Sequence, residues 1–152
     1  MRRRLLGIAS AITIALAGTF AAAAPAQAAT PPFMITKVYY DSPGKDTRSN
    51  ASLNAEYVQL TNKRKTVQNL KGYYVRDKAG HVYSFTGDFK VAAGNSIVIH
   101  TGKGTNKGTH RYWGSAAYIW NNDGDTAYLR NPSGSLVDSC SWGKGGRGYT
   151  SC

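Results

Sequence analysis

An all-β fold is what the residues beyond position 28 predict, on three observations. Nowhere do apolar residues recur at i, i+3, i+4 and i+7 over three turns, so no amphipathic helix is expected. Tyr, Val, Ile, Thr and Gly are abundant, and these residues suit a pleated, half-buried surface and the turns between its strands. Turn signals return roughly every 8 to 12 residues, the rhythm of a sandwich or small barrel of about seven to nine strands.

The first strand is expected over Phe33 to Tyr40, after the stiff Pro31-Pro32 pair, with Phe33 and Ile35 on one face; Asp41-Ser42-Pro43-Gly44 ends it. Lys45 to Asn54 is polar and reads as an exposed loop. Then comes Glu56-Tyr57-Val58-Gln59-Leu60, in which Val58 and Leu60 share a face. A basic loop, Lys63-Arg64-Lys65, follows. Tyr73 to Arg76 and His81 to Phe85 flank Asp77-Lys78-Ala79-Gly80 and make a hairpin, while Ser96 to His100 is the most apolar strand and is expected to be the most buried. The densest signal lies between Tyr112 and Trp142. There Asn121-Asn122-Asp123-Gly124 and Asn131-Pro132-Ser133-Gly134 can each reverse the chain, because Asn and Asp tolerate left-handed geometry and Gly adopts it freely. Ala127 and Leu129, on the strand between them, should face inward, and Leu136-Val137-Asp138 follows as the next strand. Two segments are compositionally biased: Thr101 to Thr109, rich in Gly, Thr and Lys, and the Gly-rich tail from Gly143 to Gly148.

Residues 1–28 have the pattern of an export signal. Arg2-Arg3-Arg4 form the positive start, Leu5 to Ala17 a short apolar run, and Ala26-Gln27-Ala28 a small-x-small cleavage site, so cleavage is expected after Ala28. The run thins too early into Ala, Thr, Gly and Pro to make a good anchor across about 30 Å of hydrocarbon, and no later segment has the character of a span. The mature chain, 29–152, suits one secreted domain with one core and no membrane insertion. The whole sequence has a formal net charge of +11; without the three arginines the mature part keeps +8. A surface of that sign favours polyanions.

Cys140 and Cys152 both fall in the mature part, and export would place them where disulfides persist. The simplest expectation is a bridge between them that ties down the Gly-rich tail, worth on the order of 3 kcal/mol in the chain-entropy view. An intermolecular bridge through Cys152 and a catalytic thiol are the alternatives.

Beyond fold class, the order of motifs resembles the lamin tail domain, an immunoglobulin-like β-sandwich, and within it the secreted bacterial branch. The resemblance is carried by Ile35 with Val38, Glu56 to Asn62, Leu70 to Asp77, Ala93 to Gly104, Tyr112-Trp113-Gly114 and Ile119 to Leu129. It covers nearly the whole mature chain but not the tail after Trp142. It implies a binding or scaffolding module without catalytic residues or a cofactor. In lamins the domain is implicated in contacts with proteins and DNA.

Site chemistry offers little else. There is no Gly-x-Ser-x-Gly, and only His81, His100 and His110 could act as bases; the first two read as ordinary sheet residues and His110 as part of a basic loop. A small hydrolase or nuclease would have to combine these histidines with Asp123 and Asp125. The oxygens of Asn121 to Asp125 resemble part of a calcium loop but lack the alternate acids and the distal Glu, so no metal site is expected. Gly102 to Gly108 is not a P-loop and reads as a flexible basic loop. Glu56 is the only Glu in the chain, which makes a paired-carboxylate glycosidase unattractive.

What remains is a distributed signal of loop cations interleaved with aromatics. Lys63, Arg64 and Lys65 form one cluster, Lys103, Lys107 and Arg111 a second, and Lys144 and Arg147 with Trp142 and Tyr149 a third. Such groups would neutralise phosphates and add contact area on bases or sugars. The expected partner is an extracellular polyanion, either nucleic acid or an anionic cell-wall polymer. A structural or protein-protein role through sheet edges or through Cys152 is the rival.

Overall fold

A computed structural model describes residues 30–152, so the expected export signal and its cleavage site lie outside the described residues. The chain forms an immunoglobulin-like sandwich. One sheet has five strands in the order β11-β1-β2-β7-β8, built from Tyr149–Ser151, Phe33–Tyr39, Tyr57–Asn62, Ser96–His100 and His110–Tyr112. The other has four in the order β10-β9-β4-β5, from Leu136–Gly143, Gly124–Arg130, Tyr74–Arg76 and Val82–Ser84. A two-residue ribbon pairs β3 (Gln68–Asn69) with β6 (Lys90–Val91). All pairings are antiparallel except β7 with β8, which run parallel.

Alternation drives the closure. Phe33, Ile35, Val38, Val58, Leu60, Ile97 and Ile99 point inward from the larger sheet to meet Val75, Ala127, Leu129 and Cys140 from the smaller one. Each of the larger of these side chains contributes roughly 1.5–3 kcal/mol relative to exposure. Ala127 and Leu129 are inward as the alternation requires, and Ile97 and Ile99 are buried on a strand paired on both sides.

One irregularity sets the face of the first strand. Ile35 pairs with Leu60 but Lys37 pairs with Gln59, so Thr36 is an extra residue, a β-bulge. The inward set is therefore Phe33, Ile35 and then Val38, and Lys37 and Tyr39 turn outward. Across the sandwich, a carboxylate oxygen of Asp138 on β10 accepts the N–H of Ile35 at 2.7 Å, which satisfies a donor at the bulge.

Four segments differ from their sequence expectation. Within the expected loop Lys45 to Asn54, Asn50–Ala55 form a short helix, α1, and Leu53 is buried. Ser49 caps it, its hydroxyl accepting the N–H of Ser52 at 3.2 Å. A six-residue helix is too short to show amphipathic periodicity, which is why that test misses it. The Gly-rich tail turns back to pair β11 with β1, and both Tyr40 and Asp41 donate their N–H to the carbonyl of Gly148. A bond between Cys140 and Cys152, with Cα atoms 5.9 Å apart, fastens this strand to the opposite sheet. No free cysteine remains, so the intermolecular bridge and the catalytic thiol both fall away. Finally, His110 opens strand β8 instead of lying in a loop, and His81 sits in the β4–β5 turn instead of a strand.

Candidate functional site

The loop between β7 and β8 is clamped, not flexible. Lys103 donates its N–H to Asn50 Oδ1 at 2.7 Å, and its carbonyl accepts Asn50 Nδ2 and Asn54 Nδ2, both at 2.9 Å. Helix α1 thus holds this loop by its backbone. Gly102 is needed for that approach: a Cβ there would lie 2.6 Å from Asn54 Oδ1 and 2.7 Å from Asn50 Oδ1. Lys103 and Lys107 remain exposed on this fixed frame.

Arg111 departs from the loop cation expected of it. It is half-buried, its guanidinium carbon lies 3.6 Å from the centre of the Phe89 ring, and its Nη1 donates to the carbonyls of Gly108 and His110 at 3.1 and 2.7 Å. It lines a cleft of about 370 Å³ between the β8 and β5 edges, with Tyr83, Phe85, Phe89, Asn106 and Tyr112. Asp88 stands at the same cleft; a hydrogen bond from Asn69 and the nearby Lys71 ammonium hold its pKa below the usual carboxylate value. An acid at the cleft weakens it as an anion pocket.

The first basic cluster is mounted on buried Asn62. Its Nδ2 donates to the carbonyls of Thr66, Val91 and Ala92, and its Oδ1 accepts the N–H of Arg64 at 2.9 Å. Lys63, Arg64 and Lys65 project from that anchor. In the third cluster Arg147 is exposed, and Lys144 lies 3.8 Å from exposed Asp123, a surface pair worth little. Trp142 is committed to the core rim. It lies parallel to Tyr40 at 4.9 Å, meets Trp120 edge-on, and donates its indole N–H to the carbonyl of Asn121 at 2.8 Å.

Register decides which clusters share a region. Tyr149 pairs with Tyr39, Tyr39 with Tyr57 and Tyr57 with His100, which marks one end of the larger sheet. Lys103 follows β7 at this end, while Lys107, bridged to His110, lies back beside the start of β8; Lys144 and Arg147 precede β11 at the same end on the other side. Thr61 pairs with Ser96 at the far end, where Lys63, Arg64 and Lys65 leave β2. Two clusters therefore bracket one sheet end and the third lies at the other.

Between the two bracketing clusters runs a feature that loop-by-loop reading misses. Tyr149 stacks on Tyr39 at 5.7 Å, Tyr39 on Tyr57 at 5.5 Å, Tyr57 meets His100 at 6.1 Å, and His100 lies 5.1 Å from Tyr112. The row crosses all five strands on the outer face. Lys37 reaches over it, 4.5 Å from the centre of Tyr149 and 5.6 Å from that of Tyr39. The only sequence signal was alternation, since Tyr57 precedes inward Val58.

His100 fixes its own tautomer. Its Nδ1 lies 2.7 Å from the carbonyl of Asn54 and must donate there, which leaves Nε2 to accept from His110 Nδ1 at 2.9 Å. Burial holds the His100 pKa below the ordinary imidazole value, against the opposing pull of the Asn54 carbonyl.

This sandwich, with the Glu56 to Asn62 strand at its centre and the hairpin from Asn121 onward, matches the lamin tail domain model over residues 26–144. The chain belongs to the lamin tail domain family. Strand β11 and Cys152 lie beyond the matched segment. No curated protein matches the chain. Lamin tail domains are non-enzymatic immunoglobulin-like modules. His81 contacts Asp77 at 2.6 Å, and the Asp125 oxygens accept the N–H groups of Lys78, Asn121 and Thr126. Among the described residues no group of three His, Cys, Asp or Glu is placed to hold a metal ion.

Glu56 is the most perturbed acid in this lamin tail domain. It is fully buried; Oε1 accepts the Thr101 hydroxyl at 2.6 Å and the Ile119 N–H at 2.8 Å, and Oε2 finds no well-aligned donor. Burial pushes its pKa up to about 7, with the hydrogen bond from Thr101 opposing. Its contacts tie β2 to the loops after β7 and before β9, so it works as a fastener of the fold and has no opening to a substrate.

Proposed function

We propose that this lamin tail domain is an exported, non-catalytic binding module whose partner is an extracellular polyanion, nucleic acid or an anionic cell-wall polymer. One observation carries the reading: the five strands of the larger sheet contain no Asp or Glu, and exposed cations on the loops flank one end of it. Export with cleavage after Ala28 fits the Arg2 to Ala28 pattern and the oxidised cysteines. The mechanism is counterion release around Lys103, Lys107, Lys144 and Arg147, while Lys63, Arg64 and Lys65 would engage a polymer long enough to reach the far end of the sheet.

Binding of the purified protein to labelled DNA and to isolated cell wall, measured across a salt series, tests this. Affinity should fall linearly on logarithmic axes with a slope of about −0.9 per phosphate neutralised on duplex DNA, and neither polymer should be degraded. Absence of binding at low salt refutes the reading, and turnover would return the enzyme alternative.

A further inference from the structure

Resting on the polyanion reading, one question is what kind of polymer the larger sheet is shaped for. Its outer face combines three features. The first is the Tyr149-Tyr39-Tyr57-His100-Tyr112 row. Neighbouring rings at 5.5 and 5.7 Å with planes within 28° and 21° of parallel are offset, so each covers only part of the next. All five side chains keep part of their surface in solvent. The second is a line of polar groups beside the row. The Thr36 and Thr61 hydroxyls lie 2.8 Å apart, Thr61 and Ser96 2.7 Å, and Gln59 donates to Thr36 at 3.2 Å. The third is charge: Lys37 lies over the row, Lys144 and Arg147 are on the loop that enters β11, and Lys103 and Lys107 are on the loop between β7 and β8.

Five neighbouring strands span about 19 Å across the sheet. That is a surface for a few units of an extended chain, crossing the strands. A double helix keeps its base faces stacked inside and would meet only the cations. A single strand can splay its bases onto aromatic rings while its phosphates meet ammonium groups, the division of labour by which other sheets hold unpaired nucleotides.

We propose that the outer face of the five-stranded sheet binds single-stranded nucleic acid, bases packed on the tyrosine and histidine row and phosphates on Lys37 and the bracketing loops. The smaller sheet lacks this arrangement. Its outward Tyr74, Arg76, Tyr128 and Arg130 alternate across the β4–β9 pairing, with Ser139 and Ser141 beyond.

The decisive comparison is fluorescence anisotropy of the disulfide-intact protein with a labelled oligothymidylate and with an abasic oligomer of the same length and phosphate count. The oligothymidylate should bind at least about tenfold more tightly. Tyr57→Leu should bring it towards the abasic value without changing the salt slope or abasic binding; circular dichroism confirms that the variant is folded, and the wild-type comparison stands without it. Equal, salt-dependent binding of both oligomers overturns base stacking and leaves the polyanion reading intact. Failure of both to bind at low salt overturns the proposal and leaves of the polyanion reading only its cell-wall form. Displacement of the oligothymidylate by a neutral linear hexasaccharide, at a comparable affinity that Tyr57→Leu abolishes, overturns the proposal in favour of a sugar chain.

Discussion

The two sheets of this sandwich treat carboxylates in opposite ways. The smaller carries Asp125 and Asp138 in its strands and turns both inward, where they accept backbone N–H groups; the larger carries none. Glu56 and Asp77, just outside strands, are likewise buried and hydrogen-bonded. Half of the chain's eight acids therefore serve the interior, and the surface is more one-sidedly basic than the formal charge suggests. The comparison teaches that net charge understates a surface when the minority charge is spent on holding backbone in place.

The sharpest way to break this comparison is to remove an inward acid. Asp125→Ala should destabilise by about 3 kcal/mol, because the N–H groups of Lys78, Asn121 and Thr126 lose their acceptor; urea unfolding measures it. Binding by the folded fraction should be unchanged. A loss of less than about 1 kcal/mol would mean that water replaces the carboxylate and that the acid is not structural.

Next comes Glu56, whose protonation separates interior from surface acids by pH. Its folded pKa, about 7, exceeds the ordinary 4.5, so the folded protein retains a proton that the unfolded chain has lost. Stability should accordingly fall as pH rises from about 4.5 to about 7, by up to roughly 3 kcal/mol, and then level off. Glu56→Gln should flatten that decline in melts across the range. A wild-type profile that rises over the same interval would contradict the burial argument.

Smallest, and aimed at the two outer faces, is charge reversal. Lys103→Glu with Lys107→Glu should weaken DNA binding about tenfold and flatten its salt slope by nearly two, with no change in melting temperature beyond a degree or so. Arg76→Glu, exposed on the smaller sheet, is the control and should cost clearly less. Equal losses would show a diffuse attraction with no preferred face.

Much of this fold was legible in sequence because each strand advertises its buried face and each turn its geometry. Val58 with Leu60, Ala127 with Leu129 and the Asp77 to Gly80 turn all sit where alternation and turn chemistry require. The Cys140–Cys152 bridge was legible too, as the simplest pairing of two cysteines. The site was legible only as loop cations. Trp142 read as a free ring because sequence does not show that Tyr40 and Trp120 enclose it. The aromatic row was hidden, since its members meet only through strand register between segments far apart in the chain.

The extra residue at Thr36 acts as a frame shift in the geometry of the strand. Uninterrupted alternation from Phe33 and Ile35 would carry Lys37 and Tyr39 into the core and leave Val38 in water. One added residue exchanges those fates, so an aromatic ring and an ammonium group become external property of the protein with no change in composition. Relatives differing by a single insertion in this strand could share the fold and the core while presenting a different face to their surroundings.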